Sequence, residues 1–156
     1  MEKKILLIED DGLLARDIKE ELGIRDEDVV YSYVSAMDRW KANNGDYDCI
    51  ILDLNIDPTG LGPNRSSKYI PICGMAFLGD ILKGEYNPDP NNPEVEESIV
   101  KLELEGLNKV IIHSGFIESL KQQKSNYPYF ERLTLIPKSA TSMAKLIREV
   151  NRIIKT

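Results

Sequence analysis

Lys4-Ile-Leu-Leu-Ile-Glu-Asp-Asp-Gly12 is an apolar run of strand length that stops on three carboxylates. Three later runs repeat the form. Tyr47-Asp-Cys-Ile-Ile-Leu-Asp53 ends on a carboxylate, Lys109-Val-Ile-Ile-His-Ser114 on a hydroxyl, and Leu133-Thr-Leu-Ile-Pro-Lys138 on an ammonium. Short runs that are apolar almost throughout suit strands buried on both faces, as in a parallel sheet covered by helices. In such sheets ligands bind just beyond the carboxyl ends of the strands. The four strand ends therefore predict one cleft holding carboxylates, a hydroxyl and an ammonium.

The intervening sequence alternates to match. Leu14, Ile18 and Leu22 recur at helical spacing, and Gly23 is the expected C-cap. Asp28-Val-Val-Tyr-Ser-Tyr33 reads as a second strand. Ser35 is the expected N-cap of a short helix carrying Met37 and Trp40, closed near Gly45. At the far end, Met143, Leu146, Ile147, Val150, Ile153 and Ile154 form one apolar stripe opposite Lys145, Arg148, Glu149 and Arg152. That stripe predicts a helix covering one face of the sheet.

The middle departs from this rhythm. Leu54 to His113 is roughly twice as long as one helix and two loops require. Asn55 to Ser67 reads as a long loop from its Gly, Pro, Asn and Ser content, and Gly74 to Lys83 as the sheet-covering helix. Asn87-Pro-Asp-Pro-Asn-Asn-Pro93 reads as a second loop, and Glu94 to Leu107 as an extra acidic, amphipathic helix. The expectation is one domain over 1–156, with insertions at roughly 57–73 and 84–107. The chain stops two residues after the last stripe position, so no attached effector domain is expected.

Composition narrows the classes. The 156 residues suffice for one domain with a full core, and a 42% hydrophobic content argues against disorder. Lys+Arg 20 against Asp+Glu 26 gives a net charge of −6, which disfavours direct nucleic-acid binding. No apolar stretch is long enough to span a membrane, and the N-terminus enters a strand without a cleavable signal. Cys49 and Cys73 lack metal-ligand spacing and read as reduced thiols. A cytoplasmic protein is the expectation.

The residue types at the strand ends suit phosphoryl chemistry. A carboxylate at Asp53 can accept a phosphoryl group and form an acyl phosphate. An anion attacking a dianion needs charge compensation. Mg2+, which favours oxygen ligands and retains waters, suits a site made by Glu9, Asp10 and Asp53, with the Asn55 backbone carbonyl as a further ligand. Lys138 supplies a cation and Ser114 a hydroxyl for phosphate oxygens, and Gly115 leaves the approach open. Read singly, these residues are also ordinary turn formers, solvated charges, or an acidic first helical turn.

Taken together, the set resembles the receiver domain of two-component phosphorelay response regulators. Lys4 to Gly12 is similar to that family's acidic-pair motif, Ile50-Ile-Leu-Asp-Leu-Asn55 to its phosphoacceptor strand, Val110-Ile-Ile-His-Ser-Gly115 to its Ser/Thr switch strand, and Ile136-Pro-Lys138 to its lysine. The resemblance covers residues 1–56 and about 108–156. It implies a flavodoxin-like (βα)5 sheet of order 2-1-3-4-5, with Asp53 phosphorylated and Glu9 and Asp10 as metal ligands. It further implies Mg2+ as cofactor, a sensor histidine kinase or phosphotransfer protein as donor, and a downstream effector protein as output. The expected function is that of a stand-alone regulatory phosphoacceptor rather than an enzyme. Three departures stand out. Pro137 precedes Lys138 and Ser139 follows it, whereas family members usually carry Pro after the Lys through a cis bond. Leu135 occupies a position often aromatic, and the insertions flank the third helix.

Two other functions remain open. Asp53-Leu-Asn-Ile-Asp57 is similar to the Asp-x-Asp motif of haloacid-dehalogenase-type phosphatases, although there the nucleophile lies on the first strand and the second position is an acid. A binding module that keeps the fold and signals without phosphate is the other. His113, the sole histidine, is expected as packed strand-end structure rather than a phosphohistidine. Tyr127-Pro-Tyr-Phe130 is either core-edge packing or a partner surface.

Overall fold

The computed structural model describes residues 2–83 and 99–155. Five strands, β1 (Ile5–Ile8), β2 (Val29–Val30), β3 (Cys49–Leu52), β4 (Val110–Ser114) and β5 (Thr134–Pro137), form one sheet of order β2-β1-β3-β4-β5. Every pairing is parallel, with Ile8 opposite Leu52, Leu52 opposite Ile112, and Ser114 opposite Pro137. The expected sheet and strand order are those observed. This register brings the carboxyl ends of β1, β3, β4 and β5 to one edge of the sheet.

Alternate residues of the strands feed two cores, because successive side chains point to opposite faces. Leu7, Cys49, Ile51 and Ile111 face α1 (Gly12–Leu22) and α6 (Ser142–Lys155). Leu6, Ile50, Leu52, Val110 and Ile112 face α2 (Tyr33–Ala42), α4 (Gly74–Ile81) and α5 (Ile117–Gln122). Gly23 closes α1 at φ +66°, as expected of a left-handed C-cap. Cys49 and Cys73 are free and buried, and Tyr127 and Tyr129 are buried in an edge-to-face pair.

Local expectations are corrected in four places. The second strand is only Val29–Val30: Asp28 ends a 3-10 turn, and Tyr33 already belongs to α2. The N-cap of α2 is Ser32 and not Ser35. Ser35 sits at the third helical position and completes a capping box, in which each serine satisfies the other's backbone N–H. That reciprocal cap outweighs the β propensity of Val-Val-Tyr-Ser-Tyr.

The stretch read as one loop after Asn55 contains α3 (Pro63–Tyr69), started by Gly62 at φ +86° with Pro63 in the first turn. Of the helix expected over Glu94 to Leu107, residues 94–98, like the loop at 87–93, lie outside the described residues. Residues 99–103 are not helical, and Leu104–Lys109 is a 3-10 helix. Leu102 instead pairs with Leu82, its N–H donating to the Ile81 carbonyl.

The segment over residues 57–73 is fastened to the helices beside it. Tyr33 and Val34, in the first turn of α2, donate N–H groups to the carbonyls of Asp57 and Thr59 at 2.8 and 3.1 Å. Arg65 of α3 reaches Asp80 of α4 with two hydrogen bonds, of 3.1 and 2.9 Å, and both side chains are buried. The Tyr33 hydroxyl donates to the same carboxylate. Three helices thus converge on one buried charge pair. A second buried carboxylate, Asp28, is held by Arg25, Arg39 and the Tyr47 hydroxyl.

Candidate functional site

The three acidic residues after β1 divide their work. Asp11 caps α1, accepting from the N–H groups of Leu13 and Leu14 at 3.2 Å each. Glu9 and Asp10 are left to the cleft. One oxygen from each of Glu9, Asp10 and Asp53 lies within 4.8 Å of the others. Glu9 is 1% exposed and Asp53 4%, whereas Asp10 is open to solvent.

Lys138 crosses from the end of β5 to close this group. Its Nζ lies 2.9 Å from Glu9 Oε1 and 2.9 Å from Asp53 Oδ2. Its backbone N–H donates to the Ser114 carbonyl at 3.0 Å, so the β4–β5 pairing sets the base of the side chain. Burial works against the Lys138 ammonium. The hydrogen bonds to Glu9 and Asp53 outweigh it and hold the pKa above the ordinary lysine value.

Burial, then the hydrogen bond and charge of Asp53, push Glu9 up to about 7. Asp10 is raised by burial and by the Asp53 charge. A cluster that resists its own negative charge is one that a divalent cation would stabilise. Its donors are the hard oxygens that Mg2+ accepts, and the open Asp10 side leaves room for water and phosphate oxygens.

Ser114 ends β4 fully buried, and its Oγ accepts the Phe116 N–H at 3.1 Å. The hydroxyl proton stays free to donate. Where a Cβ would stand on Gly115, no heavy atom lies within 4 Å. The Asn55 side chain is exposed, and the residue's backbone N–H donates to Asp53 Oδ1 at 3.4 Å. The fold therefore brings Glu9, Asp10, Asp53 and Lys138 into contact, with Ser114 and Asn55 on the flanking chain segments. His113 is buried on β4, behind this edge.

Gly74 contributes in a way its sequence context did not disclose. It opens α4 and donates its N–H to the Leu54 carbonyl at 2.7 Å, so the helix start abuts the chain leaving Asp53. The Arg65–Asp80–Tyr33 cluster went unread as well. Only a single charge inside an otherwise apolar helix pattern, Asp80 in Phe-Leu-Gly-Asp-Ile, hinted at it. The only cis peptide bond among the described residues is Ile70–Pro71, so Lys138–Ser139, in the loop after β5, is trans.

Comparison with solved structures places this architecture. The non-phosphorylated receiver domain of HemR from Leptospira biflexa superposes with a TM-score of 0.60 at 18% identity, covering 99% of this chain and 96% of that one. The fold is that of a receiver domain. A second receiver-fold neighbour is the phosphorylated cyanobacterial phytochrome response regulator RcpA. It has a TM-score of 0.50 at 23% identity, covering 98% of this chain and 91% of that one. No protein-family model and no curated protein matches the chain.

Proposed function

We propose that this receiver-fold chain is a response-regulator phosphoacceptor, with Asp53 as the residue modified. The observation that carries the reading is the Lys138 ammonium 2.9 Å from both Asp53 and the buried Glu9, with the Asp10 carboxylate beside them. In the proposed reaction an Asp53 carboxylate oxygen attacks the phosphorus of a phosphohistidine on a sensor kinase or phosphotransfer protein. The O–P bond forms as the P–N bond breaks, and the imidazole leaves with the bonding electron pair and takes up a proton. Glu9, Asp10, Asp53 and the Asn55 carbonyl would hold Mg2+, which supplies charge neutralisation for the entering phosphoryl group.

Lys138 donates to one phosphoryl oxygen and the Ser114 hydroxyl to another. The new dianion at Asp53 then competes with Glu9 for Lys138 and draws the Ser114 hydroxyl proton, which the bond from the Phe116 N–H leaves available. That shifts the loops after β4 and β5 between two arrangements, which an effector protein can distinguish.

Intact-mass measurement after incubation with acetyl phosphate and Mg2+ tests the reading. One phosphoryl adduct is expected on the wild type and none on Asp53→Asn. An adduct that persists in the variant overturns Asp53 as acceptor. Multiple turnovers of simple phosphomonoesters would favour a phosphatase instead, and an unmodified wild type a module that signals without phosphate.

A further inference from the structure

His113 is the chain's one histidine, 2% exposed on β4, and the phosphoacceptor chemistry makes no use of it. Burying an imidazole in a strand costs free energy that a leucine would avoid. Its Nδ1 has no hydrogen-bond partner among the described residues. Its Nε2 lies 3.0 Å from Ser142 Oγ, in the first turn of α6. That single bond is what the polarity of the residue serves.

Ser142 is buried and its hydroxyl is fully engaged. It accepts the Ser139 N–H at 3.1 Å and lies 3.0 Å from the Ser139 carbonyl. A hydroxyl has one proton and two lone pairs. With its proton on the Ser139 carbonyl, its remaining lone pair accepts from His113. This assigns the Nε2–H tautomer to the imidazole. Both backbone polar groups of Ser139 are then tied to a side chain that is itself anchored on β4.

Ser139 directly follows Lys138. The Lys138 N–H is fixed to the Ser114 carbonyl on one side, and the His113–Ser142–Ser139 chain holds the backbone on the other. The turn is also closed locally, by the Ser142 N–H on the Ser139 carbonyl at 3.2 Å and the Thr141 N–H on Ser139 Oγ at 3.3 Å. Those bonds stay within residues 139–142, whereas His113 ties the turn to the sheet, and losing that tie would let the turn shift as a unit and draw Lys138 Nζ from its shared position between Glu9 and Asp53. We propose that His113 and Ser142 are positioning residues, a buried hydrogen-bond tether that aims Lys138 at Asp53. This rests on the phosphoacceptor reading for its consequence, though the tether itself is a property of the unmodified protein.

The test uses the full chain and two pairs of variants. Ser142→Ala and His113→Met cut the tether, while Ser142→Thr and His113→Gln retain a group able to make the bond. Two readouts are taken on each folded variant: the initial rate of adduct formation from acetyl phosphate with saturating Mg2+, and acetylation of Lys138 by an amine-reactive reagent. Cutting the tether is expected to slow phosphorylation by roughly tenfold or more, since a misplacement near 1 Å can cost up to a hundredfold. Lys138 should label several times faster, and the conservative variants should restore both.

Wild-type rates and labelling in all four variants would overturn the proposal, as would loss in the cut variants with no recovery in the conservative ones. If the wild type takes no phosphoryl group yet Lys138 labelling follows the tether, the phosphoacceptor reading fails and the tether stands.

Discussion

A Cβ placed on Gly74 would stand 2.3 Å from the backbone carbonyl oxygen of Asp53. No side chain fits there, and the obstacle is backbone, which cannot swing aside. The start of α4 is thereby pressed against the residue at the centre of the cleft. Gly74→Ala must push the helix or Asp53 away. It should cost about 1–3 kcal/mol, the usual range for overpacking a dense interior. Urea unfolding measures this, and a wild-type midpoint would show that the close approach is easily relieved.

The buried Arg65–Asp80 pair predicts an asymmetric response. Arg65→Met leaves the buried Asp80 carboxylate without its cation, held by the Tyr33 hydroxyl, and should destabilise by about 3–5 kcal/mol. Arg65→Met combined with Asp80→Leu removes both charges and should regain much of that loss. A double-mutant cycle in urea checks both statements.

Lys138→Met takes away the cation shared by Glu9 and Asp53. Phosphorylation by acetyl phosphate should fall by about a hundredfold or more, the scale seen when one charge-stabilising donor is removed. Mg2+ binding should persist or tighten, because the carboxylates lose a competitor. Calorimetric titration with Mg2+ separates this outcome from general collapse of the site.

His113 sets a pH dependence of stability. Burial, with the Lys138 charge second, pulls its pKa from 6.5 down to about 4. Between those values the unfolded chain binds a proton that the folded chain refuses, so stability falls as pH drops. The contribution is complete above about pH 6.5 and declines down to about pH 4, by an amount on the order of 3 kcal/mol. His113→Met should flatten that part of the curve. Thermal unfolding across the range reads it directly.

Asp28 acts in a lower window. Burial alone would raise its pKa, but the hydrogen bonds from Arg39, Arg25 and Tyr47 prevail and lower it. Its stabilisation is present above the ordinary aspartate value and lost as pH falls through the depressed one. Asp28→Asn should therefore be less stable than wild type at neutral pH and lose less below about pH 4. Equal acid curves for the two proteins would remove Asp28 as a contributor.

Legibility in the sequence followed the range of the interactions. β1, β3, β4 and β5 could be read because each is largely apolar, and the residue at or just after each carboxyl end marks the edge of the candidate site. Glu9, Asp10, Asp53, Ser114 and Lys138 were visible for that reason. β2 misled because Val29 to Tyr33 carries strand propensity, whereas the Ser32–Ser35 cap that ends it is a side-chain bond. α3 was hidden by loop-like composition. What holds it is Arg65 reaching Asp80, fifteen residues away. Gly74 looked like any helix-starting glycine, since nothing in its neighbours announces the carbonyl above it.

Arg65 and Asp80 also constrain descent. Either residue alone is a liability in that interior, so neither can drift by a single substitution without passing through a weakened intermediate. Tyr33 binds the same carboxylate and adds α2 to the bargain. The segment carrying α3 therefore stands or falls with the helices it grips, one of which opens against the chain leaving Asp53.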